Sequence, residues 1–237
     1  MKILYAIYEL FIALPLFLLS TLFCAIFTII TVKWANSDFV HAVQVVWARS
    51  FCWFFLCKVT VDGMENIREG QSYVFVSNHQ SAADVFVVYG WLPVKFKWIM
   101  KQELRKIPFV GTACKAAGHI FIDRKSRASA TRSIREAEKT LTNGISVVVF
   151  PEGTRSVTGE VGRFKRGAFQ IAYDLNLPMI PISLSGCTNV MPKGAVIVNL
   201  GRHIHMHIDK EIDTQAQDQE TAVELLRTKV IENIRQI

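Results

Sequence analysis

Residues 10–32 read LFIALPLFLLSTLFCAIFTIITV, twenty-three positions without a charged side chain. As a helix this run extends roughly 35 Å, and a bilayer hydrocarbon core is about 30 Å thick. The apolar region of a secretory signal is shorter, about 7–15 residues, and ends at a small-residue cleavage site that this run lacks, so it reads as a retained membrane segment. A second apolar stretch, FVHAVQVVWARSFCWFFLC, covers 39–57 and contains Arg49. A charge at mid-bilayer costs at least about 2.5 kcal/mol, while Trp34, Trp47 and Trp53 suit the membrane interface. The expectation is an N-terminal two-helix membrane-embedded hairpin over residues 1–57. Its first helix is embedded, and its second lies along the interface with Arg49 snorkelling toward phosphates. Two full spans are one alternative, and a domain core helix for the second stretch is another.

From Lys58 onward short β-rich runs alternate with helical stretches. Strands are predicted at 58–61, 73–77, 95–100, 119–122, 145–150, 179–184, 195–200 and 203–208, and helices at 81–91, 110–117, 127–142, 166–176 and 218–236. This alternation implies an α/β fold with a mixed, partly parallel sheet flanked by helices. No repeat or low-complexity linker divides it, so residues 58–237 form one domain, whose functional side chains belong at strand ends.

The chain carries a net charge of +7, concentrated locally. Residues 91–135 hold eleven Lys or Arg against two acids, Glu103 and Asp123. Such a field attracts phosphates on nucleotides, lipid head groups or nucleic acid, unless it is simply a solvated face. The apolar N-terminal run and the lack of a basic groove with stacking aromatics argue against nucleic acid. The five cysteines (24, 52, 57, 114 and 187) form no CxxC pair, which suggests neither a disulfide framework nor a zinc site and points to a reducing compartment.

Two stretches carry candidate chemistry. In VSNHQSAAD (76–84) the apolar run Tyr73-Val74-Phe75-Val76 stops at Ser77-Asn78, His79 follows at once, and Asp84 comes five residues later. Ser81-Ala82-Ala83-Asp84 fits a capping box, so Asp84 could merely cap a helix. The same turn brings the carboxylate within reach of the imidazole, although five residues along a continuous helix would place the two about 140° apart. A carboxylate on one ring nitrogen leaves the other free to remove a proton. No Ser or Cys nucleophile motif lies nearby, so an attacking hydroxyl would belong to the substrate. The second stretch, VVVFPEGTRS (147–156) followed by VTGEVGRFKRGAFQIA (157–172), is a strand running into a glycine-rich loop with Arg155, Arg163, Lys165 and Arg166. It resembles a phosphate cradle without a Walker motif, or else a solvated glycine loop.

Taken together these stretches resemble the HxxxxD glycerolipid acyltransferases, most nearly the 1-acyl-sn-glycerol-3-phosphate (lysophosphatidic acid) acyltransferase branch. NHQSAAD matches the first block, GHIFIDR (118–124) the second, FPEGTRS (150–156) the third and LPMIPI (177–182) the fourth, with KQEL (101–104) between the first two. The resemblance covers about residues 58–210, and ordered blocks are more specific than any single one. It implies an acyl transfer from acyl-CoA or acyl carrier protein, as co-substrate, to the 2-hydroxyl of lysophosphatidic acid. Phosphatidic acid would form in phospholipid synthesis, with no other cofactor and no metal. It implies His79 as general base, Asp84 as its orienter and Lys101 near the developing oxyanion or the thioester. Arg124, Arg155, Lys165 and Arg166 would bind the acceptor phosphate, in a pocket shaped by Glu152, Gly153 and Thr154. The partners implied are the lysolipid, the acyl donor and the bilayer, with the catalytic domain on the cytoplasmic face of a membrane, read as a bacterial inner membrane. Glycerol 3-phosphate or another lyso-lipid as acceptor, or a non-catalytic anionic-lipid binder, are the competing functions.

His203, His205 and His207 alternate in RHIHMHID and share one strand face with Asp209. An ordinary strand face is expected there rather than a metal site.

Overall fold

The computed structural model describes residues 2–123, 145–195, 197–213 and 218–235. The predicted helix at 127–142 lies outside these residues. The chain opens with α1 (Lys2–Tyr8), a π-helical turn (Glu9–Ala13) and α2 (Leu14–Thr31), which run on as one long helix. The π turn has a local cause. Pro15 has no N–H to continue the ladder and its ring crowds the preceding turn, and the Leu14 N–H instead bonds to Glu9 O. The segment Ile3–Thr31 is long and apolar enough to cross a membrane.

Next comes α3 (Ser37–Phe54), with Asn36 Oδ1 accepting from the Phe39 N–H as its cap. It returns along α2: Trp47 Nε1 donates to Thr21 Oγ1 at 2.9 Å, and Tyr8 Oη donates to Phe54 O at 2.9 Å. The remaining elements are β1 (Lys58–Asp62), β2 (Val74–Ser77), α4 (Ala83–Trp91), β3 (Phe96–Lys101), α5 (Val110–Ala116), β4 (Ile120–Ile122) and β5 (Ser146–Val149). Then follow α6 (Gln170–Asp174), β6 (Met179–Ser185), α7 (Cys187–Val190), β7 (His203–Ile208) and α8 (Gln219–Glu232).

The seven strands lie in the order β1-β7-β6-β2-β5-β3-β4. All neighbours are parallel except the antiparallel pair β6 and β7. Side chains alternate across the sheet as strand geometry requires. In β2, Phe75 packs on the face covered by α3 and α4, while Val74 and Val76 enter the core under α8. Full burial of each such side chain stabilises the fold by about 1.5–3 kcal/mol.

Three expectations are corrected. Arg49 does not snorkel: its Nε donates to Gly90 O at 2.7 Å and its guanidinium lies 5.5 Å from the Trp91 ring centre. Trp47 is turned inward onto Thr21 rather than toward an interface. The reason is that α3 buries Ala48, Phe51 and Cys52 in the same core as Phe75 and Ile180, which commits one face of the helix to the domain. Thirdly, residues 195 and 197–200 form no strand. The backbone there bonds elsewhere: Val198 N–H to Glu9 Oε1 at 2.6 Å, Asn199 N–H to Val190 O at 2.8 Å and Gly201 N–H to Phe55 O at 3.0 Å.

Candidate active site

Strands β2 and β5 are adjacent and parallel, so the loops leaving their C-terminal ends meet. One loop carries His79 and the other residues 150–162. In open parallel sheets this is where ligands bind.

The first loop is anchored by Asn78. Its Nδ2 donates to Leu184 O at 2.9 Å and its Oδ1 accepts from the Leu184 N–H at 2.8 Å, pinning the loop to β6. His79 Nδ1 then lies 2.8 Å from Asp84 Oδ2. Asp84 is fully buried, and the same oxygen accepts the N–H groups of Gln80 at 2.7 Å and Ser81 at 2.8 Å. The helix cap and the His–Asp pair are therefore one construction. Ser81 Oγ accepts from the Ala83 N–H at 3.0 Å and donates to Met191 O at 2.7 Å, which occupies the hydroxyl. The far nitrogen of His79, Nε2, has no hydrogen-bond partner among the described residues, and the side chain is 17% exposed. Phe150 stacks on the ring, with centroids 4.1 Å apart and planes 11° from parallel.

Glu152 ties the two loops together. Its Oε1 accepts the His79 N–H at 2.8 Å and its Oε2 the Gly162 N–H at 2.9 Å. Burial pushes its carboxyl above the ordinary range, and those two N–H groups oppose the rise. Gly153 turns the chain behind it with φ +74°, a conformation that other residues adopt with strain. Ser156 N–H reaches His79 O at 2.8 Å, so Arg155 stands beside the histidine loop. Lys193 Nζ holds the Arg155 carbonyl at 2.8 Å, and the Arg155 guanidinium has no partner among the described residues.

The structure thus brings His79, Asp84, Glu152, Gly153 and Arg155 together. Thr154 and Lys165 are exposed on the second loop, with Lys165 N–H bonded to Pro151 O at 3.0 Å. Lys101 is exposed at the C-terminal end of β3, on the same edge of the sheet. Arg166 is turned away to pair with Glu220 of α8. Arg124 lies outside the described residues. Sequence reasoning missed Asn78, Gln80 and Arg227. Gln80 Nε2 bonds Gly159 O, and Arg227 bonds Gly162 O at 3.0 Å and Val161 O at 2.9 Å, so both fasten the glycine loop. Asn78 and Gln80 flank His79 and could have been suspected as buried polar groups. Arg227 sits on a distant helix and gives no local signal.

Behind the site lies an apolar cavity of about 200 Å³. It is enclosed by Cys24 and Thr28 of α2, Trp47 of α3, Tyr89 of α4, Ile107 and Ala113, among others. Trp98 lines it and stacks on Phe150 at 5.3 Å, so two aromatic rings separate the cavity from His79. Trp98 Nε1 is buried without a partner among the described residues. At one wall Tyr89 Oη donates to Gln44 Oε1 at 2.5 Å, beside His119, whose pKa is lowered to about 3, first by burial and then by Lys97 and His41. Cys187 is the cysteine beside Asp84, and burial followed by that carboxylate raises its thiol well above the usual range, so it is no thiolate nucleophile.

The strand face of His203, His205 and His207 holds a different carboxylate from the one expected. Asp62, not Asp209, meets His205 Nε2 at 3.2 Å and His207 Nδ1 at 2.8 Å, while Asp209 accepts from Asn233 at 2.9 Å. Among the described residues no group of three or more His, Cys, Asp or Glu is placed to hold a metal ion.

A family model described as Acyltransferase matches residues 58–185. A 1-acyl-sn-glycerol-3-phosphate acyltransferase of Arabidopsis thaliana chloroplasts is 34% identical over 182 residues, covering 76% of this chain and 50% of that protein. The human 1-acyl-sn-glycerol-3-phosphate acyltransferase alpha is 43% identical over 129 residues, 54% of this chain and 46% of its own length. The chain thus spans about half the length of these relatives. The crystal structure of the 1-acyl-sn-glycerophosphate (LPA) acyltransferase from Thermotoga maritima superposes with a TM-score of 0.76 at 27% identity, covering 94% of this chain and 97% of that one.

Proposed function

The chain belongs to the acyltransferase family, and from that premise we propose that it moves an acyl chain from a thioester, acyl-CoA or acyl carrier protein, to the 2-hydroxyl of lysophosphatidic acid. The observation that carries this reading is the His79–Asp84 pair, whose outer nitrogen is open among the described residues, with the neighbouring Ser81 hydroxyl occupied by Met191 O. Asp84 accepts a hydrogen bond from the Nδ1–H and so holds the tautomer in which Nε2 is basic. The acceptor hydroxyl gives its proton to Nε2 as its oxygen attacks the thioester carbonyl. The O–C bond forms, the C–S bond breaks, and the imidazolium returns the proton to the leaving thiolate. No acyl-enzyme forms in this scheme.

Arg155 is the phosphate ligand that best fits the geometry: its guanidinium has no partner among the described residues, it stands beside the histidine loop, and it can grip phosphate bidentately. Lys165 and Lys101 add positive charge at the same edge. The cavity behind Trp98 suits an acyl chain, being apolar and separated from His79 only by the Trp98 and Phe150 rings. The N-terminal helix would keep the site at the membrane where the lysolipid resides, with the domain on the cytoplasmic side, where acyl donors are made. The test supplies labelled acyl-CoA and lysophosphatidic acid to membranes carrying wild type or His79→Ala. Loss of a general base lowers turnover by about 10²-fold or more, and equal rates would refute the assignment.

A further inference from the structure

Between β3 and α5 the chain runs KQELRKIPF, residues 101–109, of which only Gln102 is not exposed. Leu104 is 41% exposed, Ile107 43% and Phe109 52%. Scattered apolar residues on a surface need no explanation. Here three lie within six positions and alternate with Lys101, Arg105 and Lys106 against a single acid, Glu103.

The loop is constructed so as to keep these side chains outward. Its backbone is tied at Ile107 N–H to Leu104 O (3.2 Å), Gly111 N–H to Ile107 O (2.8 Å) and Ala113 N–H to Phe109 O (2.8 Å). A Cβ on Gly111 would meet the Arg105 carbonyl oxygen at 2.3 Å, so the turn closes directly against that glycine. Phe109 has φ 59° and ψ −52°, and the Val110 N–H reaches Pro108 O at 2.6 Å. This is a γ-turn with positive φ at its centre, a rare and strained form. A large aromatic residue holds that position while half of it faces outward, so burial within the chain does not offset the strain.

The position of the loop identifies what covers it. Leu104, Ile107 and Val110 also line the apolar cavity, together with Thr21, Cys24 and Thr28 of α2. The outer surface of α2 exposes Leu19, Phe23 and Ile30, each more than 60% accessible. The loop therefore borders the helix that is long enough to enter a bilayer, and its charge complements anionic lipid.

We propose that residues 101–109 form a second membrane contact, separate from the N-terminal helix. Leu104, Ile107 and Phe109 enter the boundary between head groups and acyl chains, and Arg105 and Lys106 meet the phosphates of an anionic bilayer. The lip of the cavity then opens to lipid rather than to water. The inference rests on the membrane-anchoring reading of Ile3–Thr31 but not on the identity of the acceptor.

The test places an environment-sensitive fluorescent amino acid at position 109 of the full chain and, in a second protein, at position 23. Each is bound to phosphatidylglycerol–phosphatidylethanolamine vesicles, with iodide as aqueous quencher and doxyl lipid as membrane quencher. The proposal expects doxyl quenching at both positions. Doxyl quenching at 23 with iodide quenching at 109 overturns the second contact and leaves the anchor intact. Iodide quenching at 23 defeats the anchoring reading and the proposal with it. A probe at 109 shielded from both quenchers marks a protein interface and overturns the bilayer as partner. As an independent arm, Arg105→Glu with Lys106→Glu should weaken binding to these vesicles about tenfold at low salt, and unchanged binding would overturn the electrostatic half.

Discussion

Two histidine–carboxylate contacts of the same length occur at opposite ends of the strands. His79 Nδ1 meets Asp84, and His207 Nδ1 meets Asp62, each at 2.8 Å. Their surroundings differ. Asp84 is fully buried and accepts two backbone N–H groups besides the imidazole. The Asp62 side chain is 41% exposed and shared with His205 and with Arg235 at 2.7 Å. The first pair follows the C-terminal end of β2 at the centre of the sheet; the second closes the outer β1–β7 ladder. Distance alone does not make a catalytic pair. A buried acid that orients one imidazole and leaves the other nitrogen open can support proton transfer, whereas an exposed acid shared between two histidines and an arginine is an edge contact worth at most about 1 kcal/mol.

The most direct way to break this comparison is to neutralise each acid. Asp84→Asn should reduce kcat with acyl-CoA and lysophosphatidic acid on the order of 10²-fold, whereas Asp62→Asn should stay within about twofold. Equal losses would erase the distinction. Support from neighbouring strands is the next contrast. Asn78→Ala leaves a buried N–H and a buried C=O of Leu184 unpaired and should lower unfolding stability by about 1–3 kcal/mol, read by urea denaturation. Arg235→Ala should cost less than about 1 kcal/mol.

Each pair also has an arginine close by. Arg155→Ala should raise the KM for the phosphate-bearing acceptor about tenfold with little change for the acyl donor, and Arg235→Ala should leave both unchanged. The smallest effect concerns pH. Burial holds the His205 pKa below the ordinary imidazole value, against the pull of Asp62. The unfolded chain therefore takes up the proton first as pH falls through about 6.5, and stability is lost from there toward the folded pKa. His205→Gln should flatten the decline in Tm between about pH 7 and pH 5, and an unaltered slope would assign that decline to other groups.

Much of the fold could be read from local pattern. The run Tyr73-Val74-Phe75-Val76 ended at Ser77-Asn78, and β2 ends there. The five-residue spacing of His79 and Asp84 across a capping box contained the pair itself, because cap and contact share one carboxylate oxygen. Val223, Leu226 and Val230 recur at helical spacing in the sequence, and they are buried on one face of α8. Residues 195 and 197–200 misled because an apolar run is recorded the same way whether it pairs in a sheet or lies outside one.

By itself, then, the sequence determined the bilayer-length helix, the alternation of strands and helices, and the chemistry available at His79, Asp84 and Arg155, since each depends on residues close together in the chain. Only the tertiary structure decided that Glu152 would join the histidine loop to the glycine loop, that Arg166 would face Glu220 while Arg155 has no partner among the described residues, and that Asp62 rather than Asp209 would meet the histidines. Those outcomes follow from which strands lie side by side. β2 and β5 pair across some seventy residues of intervening chain, and such long-range register is set by the packing of whole faces, not by any local spacing.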